Sequence, residues 1–144
     1  MDKAKYKNID KVNKSIYKLE TKNINFLYSK SQKKLFLFIK RINPDVIINC
    51  IGYFDTNKGE FDKIIKSNLD PTWLLIKYFL NNKKRKVKIV SIGSSSYNKP
   101  RKDYILYTAA KTALNNIQTS AKVLFSGTKI NFYVINPPAM KSRM

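Results

Sequence analysis

The sequence contains no histidine and only one cysteine, Cys50. Without histidine, neither a Ser-His-Asp triad nor a Cys-His nucleophile can be assembled. A single cysteine cannot form an internal disulfide bond, and without histidine we predict no metal site. Cys50 follows an aliphatic run, which predicts a small apolar side chain in the interior. The missing residue types thus remove several hydrolase classes and metal-centre enzymes from consideration.

Acidic residues are also scarce, with 9 against 29 basic residues and a formal net charge of +20. This charge is typical of a protein that binds nucleic acid or anionic lipid. It is equally typical of a gene rich in A and T, because Lys, Asn, Ile, Tyr and Phe are all abundant. Only four basic residues are arginine, the type that makes bidentate base contacts, and the lysines are spread along the chain. We therefore favour codon bias and retain a basic nucleic-acid-binding protein as the less favoured alternative.

Long hydrophobic runs are missing too. The longest apolar stretches, residues 35–39 and 73–80, are much shorter than a membrane span and are interrupted or followed by lysine. Residues 1–22 lack the apolar segment of a signal peptide. These features predict a cytoplasmic protein without a membrane segment.

What the chain does contain is an alternation of apolar runs with stretches of helical periodicity. At 144 residues and 43% hydrophobic composition, it has the size of one globular domain. The predicted strands are residues 24–28, 45–52, 86–93 and 129–138. The predicted helices are residues 31–42, 60–82, with a kink or break at Pro71, and 104–125. The alternation predicts an α/β fold with a parallel sheet and crossover helices, preceded by a helical or poorly ordered lead-in at 1–22.

Polar residues and glycines follow the predicted strands at their carboxyl ends. Asn49 and Gly52 follow one strand, Ser94 follows the next, and residues 136–142 follow the last. In open parallel sheets, ligands bind beyond this edge. The sequence therefore predicts a ligand site there.

The stretch YTAAK places Tyr107 four positions before Lys111 on the longest predicted helix. Residues at this spacing share one helix face, so the ammonium can lie close to the phenol. A nearby cation favours the phenolate and lowers a tyrosine pKa that is otherwise near 10. With nine tyrosines and many lysines, the pair alone carries little weight. A packed tyrosine ring and a solvent-exposed lysine remain the alternative.

Five segments together resemble the short-chain dehydrogenase/reductase family, in the family's order and over roughly residues 23–144. Ser94 lies thirteen positions before Tyr107, a spacing that suits the family. The segments are INCIG (48–52), SNL (67–69), IVSIGSSSY (89–97), YTAAK (107–111) and NPPAMKSRM (136–144).

The resemblance implies an NAD(P)-dependent oxidoreductase that transfers hydride between NAD or NADP and a small carbonyl or alcohol substrate. Tyr107 would exchange a proton with the substrate oxygen. Lys111 would tune Tyr107 and hold the ribose hydroxyls, and Ser94 would orient the substrate. Asn68 would hold a water for proton relay, although it could equally be an ordinary helix residue. Ser94 could likewise be one member of a serine-rich turn.

The same resemblance implies a set of cofactor contacts. They are Asn49, Gly52, Tyr107, Lys111, Pro137 and Ser142. Asn49 has an alternative role, in which its amide only ties the strand end to neighbouring backbone. Ser142 would reach the cofactor amide.

The chain departs from the family at its glycines. It has only four, and no Gly-x-x-x-Gly-x-Gly turn, which in the family lets backbone amides approach the cofactor pyrophosphate. We therefore expect a truncated, partial Rossmann-like sheet of about four strands that lacks the first βαβ unit, has weakened cofactor affinity and leaves one apolar sheet face bare. Expected partners are a second copy, through the helix that carries Tyr107, or a complementing N-terminal fragment. A non-enzymatic remnant or interaction module is the main alternative.

Overall fold

The computed structural model describes residues 29–56 and 58–138, and in this part of the chain three helices alternate with three strands. The predicted lead-in at 1–22 and the predicted strand at 24–28 lie outside the described residues. Short 3₁₀ turns occupy Ser95–Tyr97 and Lys102–Tyr104. The main elements are α1 (Ser29–Ile42), β1 (Val46–Asn49), α2 (Phe61–Leu80), β2 (Val87–Ile92), α3 (Ile105–Leu124) and β3 (Ile130–Ile135).

Helix α1 ends where the sequence predicts. Asn43 takes a left-handed conformation, with φ of 50°, and its backbone N–H donates to the Ile39 carbonyl at 2.9 Å. Asparagine tolerates this conformation at a helix end, and Pro44 then prevents the helix from continuing. Lys40 and Arg41 lie in the last turn, where positive charge favours the helix dipole.

Helix α2 runs without interruption through Pro71, so the predicted break is wrong. Proline cannot donate the backbone hydrogen bond of its position, which normally weakens a helix interior. Pro71 is buried, and the apolar face that follows it, with Leu75 and Phe79, packs into the core. We infer that this burial outweighs the lost hydrogen bond, because tertiary packing supplies most of the stability of protein helices.

The three strands form a parallel sheet in the order β1-β2-β3. In its register Ile47 lies beside Ile89, and Ile89 lies beside Phe132. All three helices pack on the face that carries these side chains. The buried cluster is Ile39, Leu75, Ile76, Phe79, Val87, Ile89, Ala121, Phe125, Ile130 and Phe132. The α/β, Rossmann-like fold class is thus confirmed, with three of the four predicted strands inside the described part.

The opposite face of the sheet is accessible within the described residues, as predicted. Its alternate side chains include Ile48, 63% exposed, and Ile135, 54% exposed. The helices occupy only the other face because each crossover between neighbouring strands returns on the same side. None of the described helices is both long and apolar enough to span a bilayer.

Candidate active site

A cavity of about 330 Å³ lies at the carboxyl ends of the three strands. Its walls come from the segments that follow β1, β2 and β3 and from the helices α2 and α3. Six of the sequence-predicted site residues line it: Gly52, Asn68, Ser94, Tyr107, Lys111 and Pro137. Residues that are as many as 85 positions apart in the chain therefore face one space.

Ser94 is held at the end of β2 by the segment that follows β3. Its backbone N–H donates to Asn136 Oδ1 at 3.0 Å, and Asn136 Nδ2 donates to Asn115 Oδ1 on α3 at 3.1 Å. Its Oγ accepts from the Ser96 N–H at 3.2 Å and caps the short turn Ser95–Tyr97. Ser94 is therefore both a turn residue, as its neighbours suggested, and a wall of the cavity.

Gly93 makes this arrangement possible. A Cβ at position 93 would collide with Asn136 Oδ1, the atom that accepts the Ser94 N–H. Any side chain there would displace the Asn136 amide. Sequence reasoning did not assign Asn136 a role, and its position directly after the last strand was the only signal available.

Tyr107 lies in the first turn of α3. Its ring meets Phe54 edge-on, with ring centroids 4.9 Å apart. The Lys111 Nζ lies 5.6 Å from the centroid of the Tyr107 ring, as expected for residues on one helix face. Within the described residues the Tyr107 hydroxyl makes no hydrogen bond, and is therefore available to a ligand. Phe54 carried no signal in the sequence.

Lys111 is buried, and only 5% of the residue is exposed. Its Nζ donates to the Ile92 carbonyl at 3.1 Å. Burial lowers the pKa of the ammonium below its ordinary value, because a charged group loses hydration in the interior. The alternative of a solvent-exposed Lys111 is therefore wrong.

Asn68 is fully buried in α2 and lines the cavity. Its Nδ2 donates to the carbonyls of Tyr53 and Ile64, each at 2.7 Å, and thereby ties α2 to the segment after β1. Its Oδ1 has no partner among the described residues. A Cβ at Gly52 would lie 2.8 Å from this oxygen, so glycine keeps the approach open. A buried acceptor without a partner is a binding position for a water or a ligand donor.

Two residues near the end of β1 differ from their predicted surroundings. Asn49 does not line the cavity; its Nδ2 donates to Thr72 Oγ1 at 3.0 Å and its Oδ1 accepts from the Ile51 N–H at 3.1 Å. This geometry corresponds to the alternative in which Asn49 ties the strand end to its neighbours.

Cys50 is exposed and lines the cavity, so its predicted burial is wrong. Strand β1 ends at Asn49, and the chain leaves the sheet there. Ser142 lies outside the described residues.

A buried polar network beneath the cavity was missed. Thr72 Oγ1 and Ser91 Oγ lie 3.1 Å apart, and Gln118 Nε2 donates to Ser91 Oγ. With Asn49, these side chains link β1, β2, α2 and α3 at the base of the site. Their mutual hydrogen bonds offset part of the cost of burying them, while Gln118 Oε1 has no partner among the described residues. Helical spacing places Thr72 and Gln118 on buried faces, but the pattern does not show that they meet.

The burial of Lys111 predicts a pH-dependent stability. A group whose pKa is lowered on folding binds fewer protons in the folded state than in the unfolded state. Stability therefore rises with pH between the lowered and the ordinary pKa of Lys111. We expect the free energy of unfolding of Lys111→Met to exceed that of wild type by the largest amount at neutral pH. This difference should shrink as the pH rises through the window, because the wild-type lysine then loses its charge. Urea unfolding followed by circular dichroism, from pH 7 to the alkaline range, measures the difference.

Lys77→Met is the matched control, because Lys77 is exposed on α2. The difference in unfolding free energy between this variant and wild type should stay constant over the same pH range. A pH-independent difference for Lys111→Met as well would contradict the prediction.

A family model described as short chain dehydrogenase matches residues 21–144. The chain belongs to the short-chain dehydrogenase family. Members of this family are NAD(P)-dependent oxidoreductases. The family expected from the five sequence segments is thereby confirmed.

Individual proteins are similar to this chain in sequence or in fold. The chain is 27% identical over 132 residues to the 3-oxoacyl-[acyl-carrier-protein] reductase FabG of Buchnera aphidicola subsp. Acyrthosiphon pisum (strain APS), covering 86% of this chain and 53% of the reductase. A short-chain dehydrogenase from Leptospira borgpetersenii with bound NAD+ has a TM-score of 0.74 at 21% identity, with 83% of this chain and 53% of that chain covered. The protein ElxO with NADP bound has a TM-score of 0.78 at 22% identity, with 97% of this chain and 61% of that chain covered. The chain thus spans about half the length of the curated relative that it matches.

Proposed function

We propose that this chain forms the nicotinamide-facing and substrate-facing part of an NAD(P)-dependent oxidoreductase that reduces a carbonyl or oxidises an alcohol. The observation that carries the proposal is that Ser94, Tyr107 and Lys111 line one cavity at the carboxyl edge of a parallel sheet. Ligands bind at this edge in such folds.

Each of the three residues has a role that its surroundings favour. A nicotinamide bound in the cavity would supply or accept the hydride. Tyr107 would give a proton to the developing alkoxide, or take one from the alcohol, through a hydroxyl that makes no hydrogen bond to any described residue. Lys111, whose Nζ lies 5.6 Å from the centroid of the Tyr107 ring, would hold the ribose hydroxyls beside the nicotinamide. Ser94, whose backbone N–H is held by Asn136, would turn its hydroxyl from Ser96 Oγ to the substrate oxygen and orient it.

Asn68 supports this arrangement from the side of α2. Its Oδ1 is an acceptor at the cavity wall that no described residue satisfies, and Gly52 leaves space beside it. Lys111 Nζ borders the same space, because a Cβ at Gly52 would lie 3.3 Å from it. A water bound at Asn68 Oδ1 would therefore lie close to Lys111 Nζ. Such a water would connect the site to solvent for proton exchange.

The residues fit one half of the dinucleotide better than the other. Tyr107, Lys111 and Pro137 line the cavity that would take the nicotinamide and its ribose. The sequence has no glycine-rich turn for the pyrophosphate. We therefore expect weak dinucleotide affinity in this chain alone, and higher affinity when a second polypeptide supplies such a turn.

Dinucleotide binding and turnover test the proposal. The purified chain is titrated with NADH and NADPH and assayed for their oxidation with small aldehydes and ketones. Each assay is repeated with a second polypeptide that carries a glycine-rich strand–turn–helix. We expect binding that strengthens in the second case, with turnover. Failure to bind either dinucleotide under both conditions would contradict the proposal and favour a non-enzymatic interaction module.

A further inference from the structure

Arg101 lines the same cavity as Tyr107 and Lys111. It lies on the segment between β2 and α3, just before the short turn Lys102–Tyr104, with an extended backbone and an exposed side chain. It is one of four arginines in a chain whose positive charge comes almost entirely from lysine. Sequence reasoning gave it no role.

The backbone of Arg101 is anchored to the Tyr107 wall of the cavity. The Tyr104 N–H donates to the Arg101 carbonyl at 3.1 Å. The Tyr104 ring packs on Phe54 with centroids 4.7 Å apart, and Phe54 in turn contacts Tyr107 at 4.9 Å. Arg101 is therefore connected through two packed aromatic rings, Tyr104 and Phe54, to the tyrosine that would transfer the proton.

The cavity walls carry positive charge without a compensating carboxylate. Arg101 and Lys111 are the basic residues among those that line it, and no described aspartate or glutamate does so. The carboxylate of Asp55, next to the lining residue Phe54, accepts hydrogen bonds from the Tyr53 hydroxyl at 2.9 Å and from the Thr56 N–H at 2.8 Å. Within the described part of the chain, Arg101 forms no ion pair.

We infer that the substrate carries an oxyanion, a carboxylate or a phosphate, which the Arg101 guanidinium binds while the reacting carbonyl or alcohol faces Tyr107. A guanidinium presents its N–H donors in a planar fork that matches these groups, and the resulting bonds are charge-assisted. The inference rests on the proposed function for the identity of the reacting group. The recognition of the anion itself depends only on Arg101 and the charge of the cavity.

A pair of ligands that differ only in charge tests this recognition without a dinucleotide. The chain is titrated with acetoacetate and with methyl acetoacetate at fixed ionic strength. Binding is followed by backbone amide NMR shifts of the cavity residues. We expect wild type to bind the carboxylate roughly 10-fold more tightly than the ester, the effect of a hydrogen bond to a charged group. Arg101→Gln should abolish this preference, and Arg101→Lys should retain only part of it, because lysine lacks the fork.

Lys99→Gln is the charge-matched control, since Lys99 is exposed on the same segment and does not line the cavity. It lowers the net charge by the same amount and should leave the preference unchanged. The inference is overturned if wild type shows no preference, if acetoacetate leaves the cavity amides unshifted, or if Arg101→Gln keeps the wild-type ratio.

The oxyanion could instead belong to a phosphate of the dinucleotide. Titration of wild type and Arg101→Gln with NADH separates the two sources. Equal NADH affinities together with a lost carboxylate preference assign Arg101 to the substrate. A loss of NADH affinity with an unchanged carboxylate preference overturns the inference. Failure of dinucleotide turnover would count against the proposed function, yet it would leave the measured ratio of carboxylate to ester intact.

Discussion

Tyr107→Phe should lower kcat for carbonyl reduction by about 10²–10⁴-fold, the contribution typical of a positioned proton donor. The substitution removes one oxygen atom and retains the ring. The edge-on contact with Phe54 and the position of the ring beside Lys111 therefore survive. Because the hydroxyl makes no hydrogen bond within the described residues, its loss leaves no partner unsatisfied. The thermal unfolding midpoint should accordingly change little.

Tyr104→Phe is the matched control for this experiment. Tyr104 also packs on Phe54, with centroids 4.7 Å apart, but it does not line the cavity. This variant should retain nearly full kcat. Turnover is measured as oxidation of reduced dinucleotide under the conditions that give wild-type activity. If Tyr107→Phe and Tyr104→Phe reduce kcat equally, Tyr107 is not the proton donor and the proposed site is wrong.

Phe79→Ala should give the largest loss of stability, about 3–5 kcal/mol. The Phe79 residue is 0% exposed and belongs to the cluster that joins α2 to the buried face of the sheet. Alanine would remove most of its apolar area and leave a cavity that the parallel sheet and its helices cannot collapse to fill. A domain of this kind is stable by only about 5–15 kcal/mol, so the loss is a large share of the total. The midpoint of urea unfolding, followed by circular dichroism, measures the change.

Phe61→Ala provides the comparison within the same helix. Phe61 begins α2 and is 60% exposed. The chemical change and the gain in helix propensity are the same in both variants, so the difference between them isolates burial. We expect Phe61→Ala to change the unfolding free energy by less than about 0.5 kcal/mol. Similar midpoints for the two variants would show that Phe79 does not hold the core together.

Local patterns predicted much of the fold. The helix predicted at 104–125 is observed at Ile105–Leu124, and the strand predicted at 86–93 at Val87–Ile92. Helix and strand periods depend on near neighbours in the chain, so a run of apolar residues and its flanking Asn, Pro or Gly are enough to place an element. The break that was one of the two outcomes predicted at Pro71 does not occur, because the cost of proline is local, whereas the packing that offsets it comes from distant residues.

For the proposed site, too, one part follows from local spacing in the sequence and another part depends on the tertiary structure. The pairing of Tyr107 with Lys111 follows from the helical repeat alone, and the sequence by itself determined that these two side chains share a face. It also determined which chemistries are absent, because a chain without histidine cannot present an imidazole. Only the tertiary structure decided that Ser94, Asn68 and Arg101 face the same space as Tyr107, that Asn49 turns inward to Thr72, and that Cys50 is exposed. Distances between residues far apart in the chain depend on strand order and on how helices pack, and no spacing in a single sequence specifies either of them.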